Sequence, residues 1–384
     1  MIHRAPPAPG RASVMRADAS TMTAGEDPFI ESAEVVLPCK ELASTLAFFV
    51  ERLRFRLDAI FPADDPRVAQ LSGHGLRLRL ERDGVSAPGV LRLACRNLEA
   101  LSGGRTELLA PNGTRLQLVP AEPQLTLPPL NVSFVLSRLR DSSFVEGRAG
   151  MRYRDLIPDR LGGRFIASHI VIAAGGPVPD YVHFHAVAFQ MIFCAKGWVR
   201  VVYEDQGEPF VLRAGDCALQ PPRIRHRVLE CSPGLEVIEV SSPAEHETFV
   251  EHALTLPAGA IRPDRQLGGQ RFVRHDAGRG RWEPWRSPGF EARDLGIGAA
   301  TSGIASARVI RARRGGGGDT YRHPGELLFA YVLQGATALD RPGLAAPPEP
   351  LTAGDAFCVP ASQGLALTGC SSDFEMLEVR LPAS

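Results

Sequence analysis

From Arg154 onward the 384-residue chain repeats itself. "RDLIPDRLGGRFIASHIVIAAGGPVPDYVHFH" begins at Arg154 and "RDLGIGAATSGIASARVIRARRGGGGDTYRH" at Arg293. Both carry Ile-Ala-Ser, at 166–168 and 304–306, an offset of 138. The same offset lays Gly197 of "CAKGWVRV" on Gly335 of "VLQGATAL". With one inserted residue, "AGDCALQPP" at Ala214 falls on "AGDAFCVPA" at Ala353. A repeat this long means two copies of one fold. Each copy is a run of short strands closed by Gly-Asp and Pro turns, which fits the 38 glycines and 32 prolines and predicts a small antiparallel barrel or jelly roll made twice. The predicted copies span 151–255 and 256–384.

Upstream the text differs. Residues 1–28 are rich in Ala, Pro, Arg and Ser without a long apolar run, and are expected to be a disordered leader. From 29 to 124, "FIESAEVVLPC" alternates as a strand. In "KELASTLAFFVERLRF", Leu42, Leu46, Phe49, Val50 and Leu53 recur at helical spacing. Short strand-like runs follow, ending in "LAPNGTRLQLV". This order resembles the vicinal oxygen chelate (glyoxalase and bleomycin-resistance) family, implying a small α+β domain of βαβββ modules. Its second module looks compressed, with little room for a helix in "LACRNLEALSGGRTELLAPNG". Family ligand positions fall near Glu34–Leu37 and on Gln117 without a histidine or glutamate to fill them, so a metal-free domain with a binding or assembly role is expected. His74, the single histidine of this segment, reads as a surface or hydrogen-bonded residue. The polar stretch 125–150 reads as a linker.

The first copy contains "VHFHAVAFQ". Residues two apart on a strand share a face, so His183 and His185 both enter the barrel. Gln190 has the opposite parity, so the alternation must break between Ala186 and Phe189. His226 arrives on another strand after Pro221-Pro222. Gly176, His183-Phe-His185, Gln190 and Gly197, then Gly215, Pro221 and His226, resemble the two motifs of the cupin family. That resemblance implies a tandem cupin (bicupin) of mainly β architecture, with His183, His185, Gln190 and His226 as ligands of one divalent transition metal. Gln190 replaces the family's glutamate. Fe is preferred, with Ni, Zn, Mn or Cu also compatible with imidazole donors. Tyr181 shares parity with His183 and is the candidate catalytic residue, as a proton donor or substrate contact. Arg223 and Arg225 have parity opposite to His226 and are expected to point outward, which leaves the group that binds a substrate anion unidentified.

In the second copy the offset replaces His183 by Tyr321, Gln190 by Leu328 and His226 by Leu365. Only His185 has a histidine counterpart, His323, expected at the rim. That barrel should be structural.

Lys plus Arg equals Asp plus Glu at 43 each, so no basic face for nucleic acid or an anionic membrane is expected. Seven scattered cysteines without a C-x-x-C pair argue for reduced thiols in a cytoplasm. A metal held by neutral ligands stays strongly electrophilic and favours a small anionic substrate. Iron cupins with three histidines and no carboxylate include dioxygenases of the gentisate, thiol and diketone-cleaving kinds, so a non-haem Fe(II) dioxygenase is the leading expectation. The alternatives are a Zn, Ni or Mn Lewis-acid lyase, isomerase or hydrolase, and a non-catalytic ligand-binding bicupin. Resemblance to bicupins also implies a homodimer.

Overall fold

A computed structural model describes residues 32–313, 318–361 and 363–382. The leader expected over 1–28 lies outside them. The chain divides into two units, 1–124 and 125–384.

In the first unit, strand Val35–Cys39 runs parallel to Leu76–Arg82, and the sheet continues through Val68–Gly73 to Arg56–Phe61. The helix Leu42–Ala47 and the wider turn Phe48–Arg52 bury Leu42 and Phe49 against Leu37, Leu71 and Leu80. This is a β-α-β-β-β module. The second module keeps the helix that the sequence left little room for and lacks a strand instead. Asn97 caps Leu98–Ser102 by accepting from the Ala100 amide at 2.9 Å, and Gly103 ends it in the left-handed conformation. Its three strands run in the order Val90–Cys95, Arg115–Pro120, Glu107–Leu109, with the first pair parallel. His74 is hydrogen-bonded: its Nε2 lies 2.7 Å from the Leu53 carbonyl oxygen.

The second unit is two tandem jelly-roll barrels. In each, alternate residues of the central strands serve two cores. Phe189, Met191 and Phe193 of Phe189–Lys196 pack with Ile238 and Val240 against Phe329, Tyr331, Leu377 and Val379 of the other barrel. The intervening Cys194 and Val237 join Val199 and Val201 inside the first barrel, and Leu328, Ala330 and Val332 do the same inside the second. Burial on both faces explains why these strands read as nearly continuous apolar runs. Phe193→Ala, emptying a site 1% exposed, is expected to cost about 3–5 kcal/mol and to lower both barrels' unfolding midpoint together, read by urea denaturation. Two separate transitions with only one displaced would show that the shared core does not couple them.

The segment expected as a linker is part of this architecture. Val135–Ser137 pairs with Ala356–Cys358 of the second barrel, and Val145–Glu146 pairs with Arg152–Asp155 of the first. In return Val273–His275 pairs with Cys217–Leu219 of the first barrel. Val135 and Val273 are 138 apart, so the repeat extends back to these arms, and each copy lends its arm to the other. The expected breaks at 150/151 and 255/256 therefore do not separate the sheets.

Candidate metal centre

The break predicted after the two histidines is a change of sheet. His183–His185 pairs with Thr248–Val250 and His226–Cys231, whereas Phe189–Lys196 lies in the opposite sheet between Cys217–Leu219 and Leu235–Ser242. Residues 186–188 turn the corner, which brings Gln190 to the inward face.

His183 and His226 are cross-strand partners, and their rings are 4.3 Å apart. The His185 ring stands 5.1 Å from His183 and 5.3 Å from His226. The three residues each offer a ring nitrogen within 4.8 Å of the others, and among the described residues they are the group of His, Cys, Asp or Glu so arranged. Their Nδ1 atoms are tied off. His183 Nδ1 donates to the Tyr181 carbonyl at 2.8 Å, and His226 Nδ1 donates to the Ile224 carbonyl at 3.0 Å. His185 Nδ1 lies 2.9 Å from the Thr248 hydroxyl. Carbonyls only accept, so the protons of His183 and His226 sit on Nδ1 and leave the lone pairs on Nε2. Burial pushes all three imidazoles toward neutrality; His185 falls to about 3 through burial and then through its histidine neighbours. Three neutral rings with converging nitrogens, two of them with tautomers fixed by carbonyls, fit a divalent transition ion. Fe, Ni, Zn, Mn and Cu all accept such donors.

Gln190 is 1% exposed, and its Nε2 has no hydrogen-bond partner of good geometry. Its amide nevertheless lies near enough to Glu239 to help hold that carboxyl down. Glu239 lines the same cavity as the histidines, on the strand paired with Gln190's own, and burial pushes its carboxyl up to about 7 against the pull of Arg148 and Gln190. It lies outside the three-nitrogen cluster.

Arg148 reaches the centre from the segment read as a linker. Its Nη1 donates to Asp180 Oδ1 at 2.6 Å and its Nη2 to His183 Nε2 at 2.9 Å. Asp180 has no exposed side-chain surface, and its Oδ2 accepts the Val228 amide at 2.9 Å. Burial opposes the charge on Arg148, and Asp180 more than restores it, so the guanidinium stays protonated. It also competes for the His183 lone pair.

The cavity measures about 80 Å³. Met151, Ile170, Ile172, Val199 and Val237 form an apolar wall around a polar end of three imidazoles, Arg148, Glu239 and Tyr203. The Tyr203 ring stacks on His226 at 5.4 Å, and its hydroxyl accepts from Gln220 Nε2 at 3.0 Å.

Tyr181 does not line this cavity. Its side chain is 46% exposed with its ring 6.0 Å from that of His183, so its part in the structure is the backbone carbonyl that fixes the His183 tautomer. Parity misplaces it because it precedes the strand, whose first residue is His183. Arg223 and Arg225 lie over the Phe184 ring, on the face away from the histidines, as their parity predicts. His246 was missed: its ring meets that of His185 edge-on at 5.4 Å, from the segment that follows Ser242. No sequence signal marks His246 or Arg148. For Glu239 a signal exists, because "LEVIEV" and "FEMLEV" are matching ends of the repeat and both keep the second glutamate.

The second barrel confirms the register of the repeat. Tyr321 and Leu365 form an antiparallel bridge where His183 and His226 pair in the first barrel. His323 is not at the rim as expected: it is 2% exposed, with Nε2 donating to the Val359 carbonyl at 2.7 Å.

No family model matches the chain. No curated protein matches it either. Among solved structures, the formate complex of Lactobacillus farciminis oxalate decarboxylase aligns at TM-score 0.49 and 15% identity, over 68% of this chain and 88% of that one. A variant of Bacillus subtilis oxalate decarboxylase aligns at TM-score 0.48 and 14% identity, over 68% and 78%. The protein Ylba from E. coli aligns at TM-score 0.47 and 12% identity, over 66% and 93%.

Proposed function

We propose that the first barrel is the centre of a non-haem Fe(II) dioxygenase acting on a small anionic compound with an apolar body. The observation that carries this reading is the set of three buried, neutral imidazoles whose ring nitrogens converge, with the Nδ1 atoms of His183 and His226 facing carbonyls and that of His185 facing the Thr248 hydroxyl. His183, His185 and His226 would hold the ion, with the Gln190 oxygen as the further donor. When bound, iron would supply the means of bringing dioxygen and substrate to reaction.

The remaining work falls to this chain's own side chains. The Arg148 guanidinium, anchored through Nη1 to Asp180, offers Nη2 to an anionic head as a charge-assisted donor. The apolar wall takes the carbon body and excludes water, and a cavity of about 80 Å³ limits that body to a few carbons. Glu239 can hold a proton at neutral pH and stands where it can pass one to a ligand. The β-α-β-β-β order of the first unit supports reading it as a vicinal oxygen chelate-type module with a binding or assembly role.

Glu239 also favours a second reading, a Zn, Ni or Mn Lewis-acid lyase or isomerase in which this carboxyl moves the substrate proton. Oxygen uptake separates the two. With Fe(II)-loaded protein and a panel of small carboxylates, thiols and diketones, the dioxygenase reading expects dioxygen consumed in proportion to product. Undiminished turnover under strict anaerobiosis would establish the second reading. Ligand binding without product across the panel and across metals would show a binding barrel instead.

A further inference from the structure

The second barrel has exchanged its ligands for a different set of charges. On the inward face of strand Glu375–Leu381, Glu378 stands on the rung that Glu239 occupies in the first barrel: Glu239 pairs with Ser168 and Ile192, Glu378 with Arg308 and Ala330. One rung along, Ser241 opposite Gln190 becomes Arg380 opposite Leu328. At these two rungs the second barrel keeps the glutamate and has Arg308 and Arg380 where the first has Ser168 and Ser241.

A third arginine and a tyrosine join them. Arg286 Nη2 lies 3.3 Å from both Glu378 oxygens, Arg308 Nε 3.7 Å and Arg380 Nε 3.5 Å from Oε1. The Tyr321 hydroxyl, at the position of His183, is 3.2 Å from Oε2. Glu378 has no exposed side-chain surface, and the Arg380 side chain is 7% exposed. One carboxylate faces three guanidinium groups. Arg308 Nε, Arg380 Nε and Arg380 Nη2 are buried with no hydrogen-bond partner among the described residues. Unmet charged donors are costly to bury, so this arrangement favours an added anion.

The cluster is reachable. Arg286 and Arg308 also line a surface cleft with Arg281, Glu283, Trp285 and Asp294. Glu283 and Asp294 are acidic, yet with Arg380 and Glu378 included the cations still outnumber the anions. Arg286 is held by two rings, its guanidinium 4.9 Å from the centre of the Trp285 ring and 4.3 Å from that of Tyr321.

We propose that the second barrel is an oxyanion-binding site, in which Arg286, Arg308 and Arg380, ordered around Glu378 and Tyr321, take a small carboxylate or phosphate. A planar fork of donors matches two oxygens on one centre, whether carboxylate or phosphate, and gives a halide no such match. The site does not depend on the metal chemistry of the first barrel.

The test uses the full-length, metal-free chain in an Arg148→Ala background, which removes the guanidinium of the first barrel. Thermal unfolding is followed against inorganic phosphate, acetate and chloride at fixed ionic strength, because an anion that binds the folded state raises Tm with a saturable dependence on its concentration. The expected result is a saturable rise with phosphate or acetate and none with chloride, and the effective anion identifies the source. Adding Arg286→Ala and Arg308→Ala should weaken half-saturation at least tenfold. Arg286→Ala alone, at a side chain 32% exposed, gives the same readout by isothermal titration if the double variant does not fold. No saturable rise with either oxyanion, equal potency of chloride, or unchanged half-saturation in the arginine variants would overturn the proposal.

Discussion

Replacing His226 by Ala is expected to leave the first barrel folded and unable to retain metal. The ring supplies one of three converging Nε2 donors, and its loss leaves two histidines that adjoin on one short strand. Losing an outer partner of a ligand typically weakens metal affinity about 10–100-fold, so losing the ligand should exceed that. Elemental analysis should fall from near one equivalent per chain to a trace. Circular dichroism should persist, because the sheet facing the histidines is anchored through Phe189, Met191, Phe193, Ile238 and Val240 in the core shared by the two barrels. Full metal content in the variant would show that the imidazoles hydrogen-bond without binding an ion. Thr248→Val is the milder companion: it removes the hydroxyl that faces His185 Nδ1 and should weaken metal within the 10–100-fold range.

Glu239→Gln should lower kcat by about 10²–10⁴ while metal content stays near that of the unaltered chain, because positioned general acids and bases contribute on that scale. The exchange is nearly isosteric and keeps packing against Gln190, so only the capacity to carry a proton is removed. Burial pushes this carboxyl up to about 7, which makes it the inward group of the first barrel suited to hold and release a proton near neutrality. The test is a paired measurement of turnover and bound metal. If metal is lost with activity, Glu239 is a ligand that moves into the cluster. If neither changes, it is a wall residue.

The parts of the site carried by local pattern were legible before the fold was known. His183 and His185 share a face by strand period, and a break before Gln190 was required by parity. The structure places that break at a corner between two sheets. The same parity argument turned Arg223 and Arg225 outward, where they lie over Phe184. It failed for Tyr181, since a period of two applies only within a strand and Tyr181 stands before one begins. Parity is silent at "LEVIEV", where both faces are buried and apolar residues flank the glutamates, so no alternation shows which glutamate points inward. Only pairing does: Glu239 faces Ile192 across the ladder, on the inward side with Gln190.

By itself the sequence determined that one fold is made twice, that the first copy keeps its histidines, and that the second has lost three of four ligand positions. Those conclusions need only spacing and comparison of the chain with itself. The tertiary structure decided that Arg148, 35 residues before His183, enters the site, that each barrel borrows an arm from the other, and that the second barrel holds arginines around a retained glutamate. Each of these depends on the register between strands far apart in the chain, where a slip of one residue would turn every side chain to the opposite face. That register is set by the shared apolar core, which no local stretch of sequence contains.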